Sequence, residues 1–69
     1  MNKDDRKKLI AEFFEHVGGV SVLAHRSGMS EPSLRICKTR ARLTNKYELM
    51  RIADQTAFAL PGFIFEPAP

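Results

Sequence analysis

Apolar residues recur with a helical period over most of this chain and lose that period near its end. Leu9, Phe13 and Val17 fall at i, i+4 and i+8, and Ile10 and Phe14 widen the same face, which predicts a first helix over residues 4–17. Asp4 and Asp5 open it, where negative charge suits the helix dipole, and Gly18-Gly19 closes it. Val20, Leu23 and Ala24 supply the inner face of a short second helix over 20–27. Gly28 stands where the chain must reverse and where a positive φ is easiest to place, and Met29 follows as a buried plug. Ser30 is a good N-cap for a third helix over 31–41, and Pro32 is tolerated in its first turn, where a missing N–H costs little. Leu34 and Cys37, three apart, give that helix a small inner face. Leu49, Ile52, Ala53, Thr56 and Ala57 line one side of a fourth helix over 45–57, with Thr44 and Asn45 placed to cap it.

The pattern changes in kind at FALPGFIFEPAP. Pro61-Gly62 marks a turn, Phe63, Ile64 and Phe65 are strand formers, and Pro67 stops any extension. A lone strand in a helical domain has nowhere to place its backbone hydrogen bonds. Pairing with the same segment of a second copy about a two-fold axis solves that, with Phe63, Ile64 and Phe65 as the dimer interface. The alternative is a tail laid back over its own helices. The expected fold is therefore all-α: a small bundle of four to five helices over residues 1–60, and a short strand-like dimerisation tail over 61–69.

Size sharpens the expectation of a dimer. A domain of 69 residues buries only about 60% of its unfolded surface and is marginal alone. The single cysteine forms no internal disulfide, and the N-terminus MNKDDRKK leads into an amphipathic pattern rather than an apolar signal core. No apolar run approaches the ~20 residues of a membrane span. A cytoplasmic chain is expected.

The net charge of +3 matters less than its placement. Residues 1–19 carry four basic and four acidic side chains. Residues 20–51 carry Arg26, Arg35, Lys38, Arg40, Arg42, Lys46 and Arg51 against only Glu31 and Glu48. A polyanion is the partner that such a field attracts. Glu31, Arg35, Lys38 and Arg42 follow one another at steps of four, three and four, one stripe of the third helix.

The stretch VSVLAHRSGMSEPSLRICKT, residues 20–39, resembles the DNA-binding helix-turn-helix of phage Cro and CI-type repressors. The resemblance rests on Ala24 of the first helix, Gly28 four residues later, the apolar Met29, and the two apolar positions Leu34 and Cys37. It covers about residues 5–57 and implies a homodimer that binds double-stranded DNA. The third helix would read bases through Ser30, Glu31, Ser33, Arg35 and Ile36. Arginine can bond guanine through two hydrogen bonds, glutamate can accept from cytosine, and Ile36 could meet a thymine methyl. Glu31 and Arg35 can also pair with each other at i, i+4. The phosphate contacts would come from Ser21, Lys38, Arg40, Arg42, Thr44, Asn45 and Lys46; Ser21 can equally well only cap its helix. Pro32 and Ile36 depart from the family's usual polar readers, so no known base code transfers.

The implied mechanism is occlusion: two reading helices in successive major grooves, about 34–36 Å apart on an inverted repeat, blocking polymerase. The family resemblance points to an autoregulatory repressor of a phage or mobile element, such as a Cro-like switch or an anti-CRISPR-associated repressor. The competing classes are an antitoxin or other protein-binding module docking through the tail, and a single-strand binder. The last needs exposed aromatics on the basic face, and residues 26–46 hold none. His16, His25 and Cys37 match no metal-ligand spacing, no phosphate loop or nucleophile–base set is present, and neither enzyme activity, cofactor nor small-molecule ligand is expected.

Overall fold

The first helix, α1 (Lys3–His16), starts one residue earlier than its apolar period because Asn2 caps it, its side chain accepting a hydrogen bond from the Asp5 N–H at 2.8 Å. Ile10, Phe13 and Phe14 turn inward from it. So does Arg6, one turn earlier, only 3% exposed. The computed structural model describes residues 1–68, in the order α1, α2 (Val20–Ser27), α3 (Glu31–Thr39), α4 (Lys46–Gln55) and a 3-10 turn at Gly62–Phe65. Among the described residues there is no strand, so the fold is all-helical.

The local signals behave as the residues demand. Gly18 and Gly19 both take φ of +108° between α1 and α2, and Gly28 ends α2 at φ +77° with its N–H bonded to the Ala24 carbonyl. Ser30 caps α3, its hydroxyl oxygen accepting from the Ser33 N–H at 3.2 Å, and Pro32 lies in the first turn. Leu23, Leu34 and Cys37 enter the core with Leu49, Ile52 and Ala53 of α4. Met29 is only half-buried: it packs against this core without plugging it.

Helix α1 ends at His16, one residue short of the expected 17, and three further helix ends differ from the sequence expectation. Helix α3 stops at Thr39, two residues short of the expected end, because Ala41 is needed in the core and reaches it in a left-handed conformation at φ 56°. Helix α4 starts at Lys46 and ends at Gln55, inside the expected 45–57. Asn45 takes φ 58° and makes no side-chain cap bond, while Ala57 reverses the chain at φ 57°. Asparagine tolerates the left-handed region better than most residues, so it serves here as a turn residue rather than a cap.

The tail overturns the strand expectation. Gly62–Phe65 winds into one 3-10 turn, and Ile64 and Phe65 join the chain's own core, along with Leu60. Ile64 is fully buried and Phe65 is 9% exposed; Phe63 alone stays at the surface, at 38%. The backbone groups that a partner strand would have satisfied are satisfied internally. The Ile64 carbonyl accepts from the Leu43 N–H at 2.8 Å, the Phe65 carbonyl from Arg42 Nε at 3.1 Å, and the Phe63 and Glu66 carbonyls from Arg6, each at 2.8 Å. Ile64 and Phe65 thus belong to the same core as the helices of residues 1–60; Pro69 lies outside the described residues.

Candidate nucleic-acid interface

The turn at Gly28 and the cap at Ser30 fix where α3 begins, and the inward pull of Leu34 and Cys37 fixes which side it turns outward. That outer side carries the reading candidates. Ser30 donates to the Ser33 hydroxyl at 2.8 Å in addition to capping the helix, so the two serines hold each other at the helix start. Arg35 pairs with Glu31 at 3.1 Å, with side chains 63% and 41% exposed respectively. Ile36, next along the face, is 50% exposed. Lys38 is exposed in the last turn.

Beyond Thr39 the chain turns through Arg40, Ala41 and Arg42 instead of continuing the helix. The expected stripe Glu31–Arg35–Lys38–Arg42 is therefore broken at its last member: Arg42 lies in the loop, where its Nε bonds the Phe65 carbonyl. The turn has a second effect. Arg40, Arg42 and Thr44 line, with Ser33 and Ile36 of α3, one cleft of about 230 Å³ whose wall also includes the Cys37 side chain. The Thr44 hydroxyl lies 3.6 Å from the Cys37 sulfur. Two base-reading candidates and three phosphate candidates thus meet at one concavity.

The remaining candidates lie elsewhere. Ser21 is exposed in the first turn of α2 and does not cap it; Gly19 occupies the cap position without a side-chain bond. Asn45 is exposed at the turn into α4. Lys46 lines a different, open groove along the outer face of α4.

Arg6 is the residue that sequence reasoning passed over. Its Nη1 donates to the Ala41 carbonyl at 3.0 Å and to the Glu66 carbonyl at 2.8 Å, its Nη2 donates to the Phe63 carbonyl at 2.8 Å, and its guanidinium lies 5.5 Å from the Phe63 ring centre. One buried cation from α1 therefore clasps both the loop after α3 and the tail that backs it. Among the described residues no carboxylate takes part: carbonyl dipoles and the aromatic face offset the desolvation of the charge. The signal was present in the spacing, since Arg6, Ile10, Phe13 and Val17 fall at i, i+4, i+7 and i+11 on one helical face. A cation at the end of an apolar stripe is ordinarily solvated, and only the carbonyls of residues 41, 63 and 66 make this one internal.

Compared with family models, with curated proteins and with solved structures, the chain matches none.

Proposed function

We propose that this protein is a sequence-specific double-stranded DNA-binding repressor of the Cro/CI helix-turn-helix type, acting as a homodimer on an inverted repeat and regulating its own operon. The observation that carries the reading is the shared cleft of Ser33, Ile36, Arg40, Arg42 and Thr44 beside the exposed Glu31–Arg35 pair. A groove-facing helix needs side chains free to meet base edges, with cations beside them for the flanking phosphates. Arg35 is free enough for the role. An exposed i, i+4 pair is worth only ~0.2–0.5 kcal/mol, whereas a bidentate arginine–guanine contact is worth ~1–3 kcal/mol of discrimination. Glu31 therefore holds the guanidinium poised without competing with a base.

In this reading Ser30 and Ser33 frame the helix entry, Lys38, Arg40 and Arg42 neutralise phosphates, and Ser21, Thr44 and Asn45 add neutral contacts. Arg42 keeps its role because the Phe65 carbonyl engages only its Nε, which anchors the side chain. The repressor acts by occupying the promoter. A partner protein seeking the tail instead would find Ile64 and Phe65 committed to the core, which favours the DNA reading over a docking module.

The test is binding to the DNA upstream of the protein's own gene, with random DNA as competitor, at 50 and 200 mM salt. Three phosphate-neutralising cations per protomer make six per dimer, for which affinity is expected to fall by about 10³-fold over that range. Binding that survives competitor and shows this slope supports the proposal. Salt-insensitive binding, or equal affinity for random DNA, refutes it.

A further inference from the structure

We propose that two copies of this chain associate through the outer face of α4, antiparallel, with Met50 on the two-fold axis. This deepens the homodimer of the proposed function and replaces the tail as its contact surface. Lys46, Tyr47, Met50, Arg51 and Asp54 line an open groove of about 610 Å³ along that face. Tyr47 is 78% exposed, the most exposed of the large hydrophobic side chains, and Met50 on the same groove is half-buried. A tyrosine left so far out of the core is a common anchor at protein contacts, being apolar in its ring and polar at its tip.

The charges on the face name the occupant. Lys46 and Asp54 lie four residues to either side of Met50, about 6 Å each way along the axis at 1.5 Å per residue. A two-fold axis through Met50 that reverses the helix direction sets Lys46 against Asp54 of the partner subunit, and does so twice. The same axis brings Tyr47 beside Arg51 of the partner subunit, within range of a cation–π contact. Arg51 is already neutralised by Glu48 of its own helix at 2.6 Å, so the two arginines near the axis repel little. A parallel two-fold arrangement would instead set Lys46 beside Lys46 of the partner subunit, and Asp54 beside its own copy. The face is self-complementary in one orientation only.

Lys46, which lies outside the α3 cleft, then serves the dimer rather than a phosphate. A helix of ten residues presents less than the ~800 Å² per partner of a standard interface. The dimer is therefore reversible in solution and is strengthened when two half-sites hold the copies side by side.

Sedimentation equilibrium of the full chain, without DNA, tests this. The expected result is a concentration-dependent monomer–dimer equilibrium. Asp54→Lys turns both cross-axis attractions into repulsions and is expected to raise the dimer dissociation constant by ~10-fold or more. Adding Lys46→Asp to Asp54→Lys restores the pairing in reversed sense, and with it the dimer. Recovery by the double variant separates a charge contact from a folding defect. A chain that stays monomeric at all concentrations, or an Asp54→Lys variant that associates like the parent, overturns the α4 contact. Because DNA is absent, the outcome is independent of the repressor reading: specific DNA binding by a solution monomer defeats only this inference, and an α4 dimer without DNA binding defeats only the repressor.

Discussion

Replacing Arg6 with methionine tests whether the buried clasp holds the domain together. Methionine fills similar volume and keeps the apolar stem, so the change isolates the guanidinium. Three hydrogen bonds are lost, to the carbonyls of Ala41, Phe63 and Glu66, together with the contact on the Phe63 ring. The bonds to Phe63 and Glu66 are part-buried, so water can replace much of what they contribute. The bond to Ala41 is buried, and its carbonyl is left without a donor, at a penalty of ~1–3 kcal/mol. Against this stands the relief of a desolvated cation, which partly offsets the loss. With the weaker terms added, the net destabilisation is expected to be about 2–4 kcal/mol. A chain of this length has a total stability of roughly 3–10 kcal/mol. The melting temperature should therefore fall by ~8–32 °C, at about 4–8 °C per kcal/mol for a domain of this class. Thermal and urea unfolding followed by circular dichroism gives the number, with exposed Lys8→Met as the control, expected to stay within about 0.5 kcal/mol of the parent. Arg6→Lys should recover little, since an ammonium cannot reach three carbonyls in a planar fork. A loss below ~1 kcal/mol for Arg6→Met would refute the reasoning, because the buried Ala41 carbonyl alone requires more.

Ile64→Ala is expected to cost about 2–5 kcal/mol in urea unfolding, the range for a fully buried isoleucine, and removal of residues 62–69 should abolish cooperative unfolding; a cooperatively folded truncated chain would contradict the docked tail. Ser30→Ala removes the cap of α3 and is expected to lower stability by ~0.5–2 kcal/mol, with hydrogen exchange quickening first at the Ser33 amide; unchanged protection there would mean that the cap contributes nothing. In selection of binding sites from random DNA, Arg35→Ala is expected to relax preference at one base position per half-site, while Arg40→Ala weakens all sequences about equally and lowers the salt slope by about one per protomer; the reverse pattern would exchange their roles. Arg42→Ala is the poorer probe of phosphate binding, since it also frees the Phe65 carbonyl and so affects folding.

Much of the framework was legible because it is local. The bounds of α2, the left-handed Gly28, the Ser30 cap, the inward Leu34 and Cys37 and the Glu31–Arg35 pair each depend on residues within about one helical turn of each other, the range over which periodicity and capping chemistry operate. The elements that sequence reasoning placed wrongly depend on partners far along the chain. Arg6 meets acceptors 35, 57 and 60 residues away, and Arg42 meets one 23 residues away. The run Phe63-Ile64-Phe65 has strand propensity, but propensity is a weak preference, and burial of Ile64 and Phe65 with four carbonyls of the tail satisfied from within the chain outweighs it. The same long-range contacts end α3 at Thr39, bend the cationic loop across the helix and so assemble the cleft. Sequence alone therefore determined where the four helices fall and which apolar side chains they turn inward. Tertiary structure decided which of the exposed side chains share a site, because that depends on how the tail packs beneath the loop rather than on any local pattern.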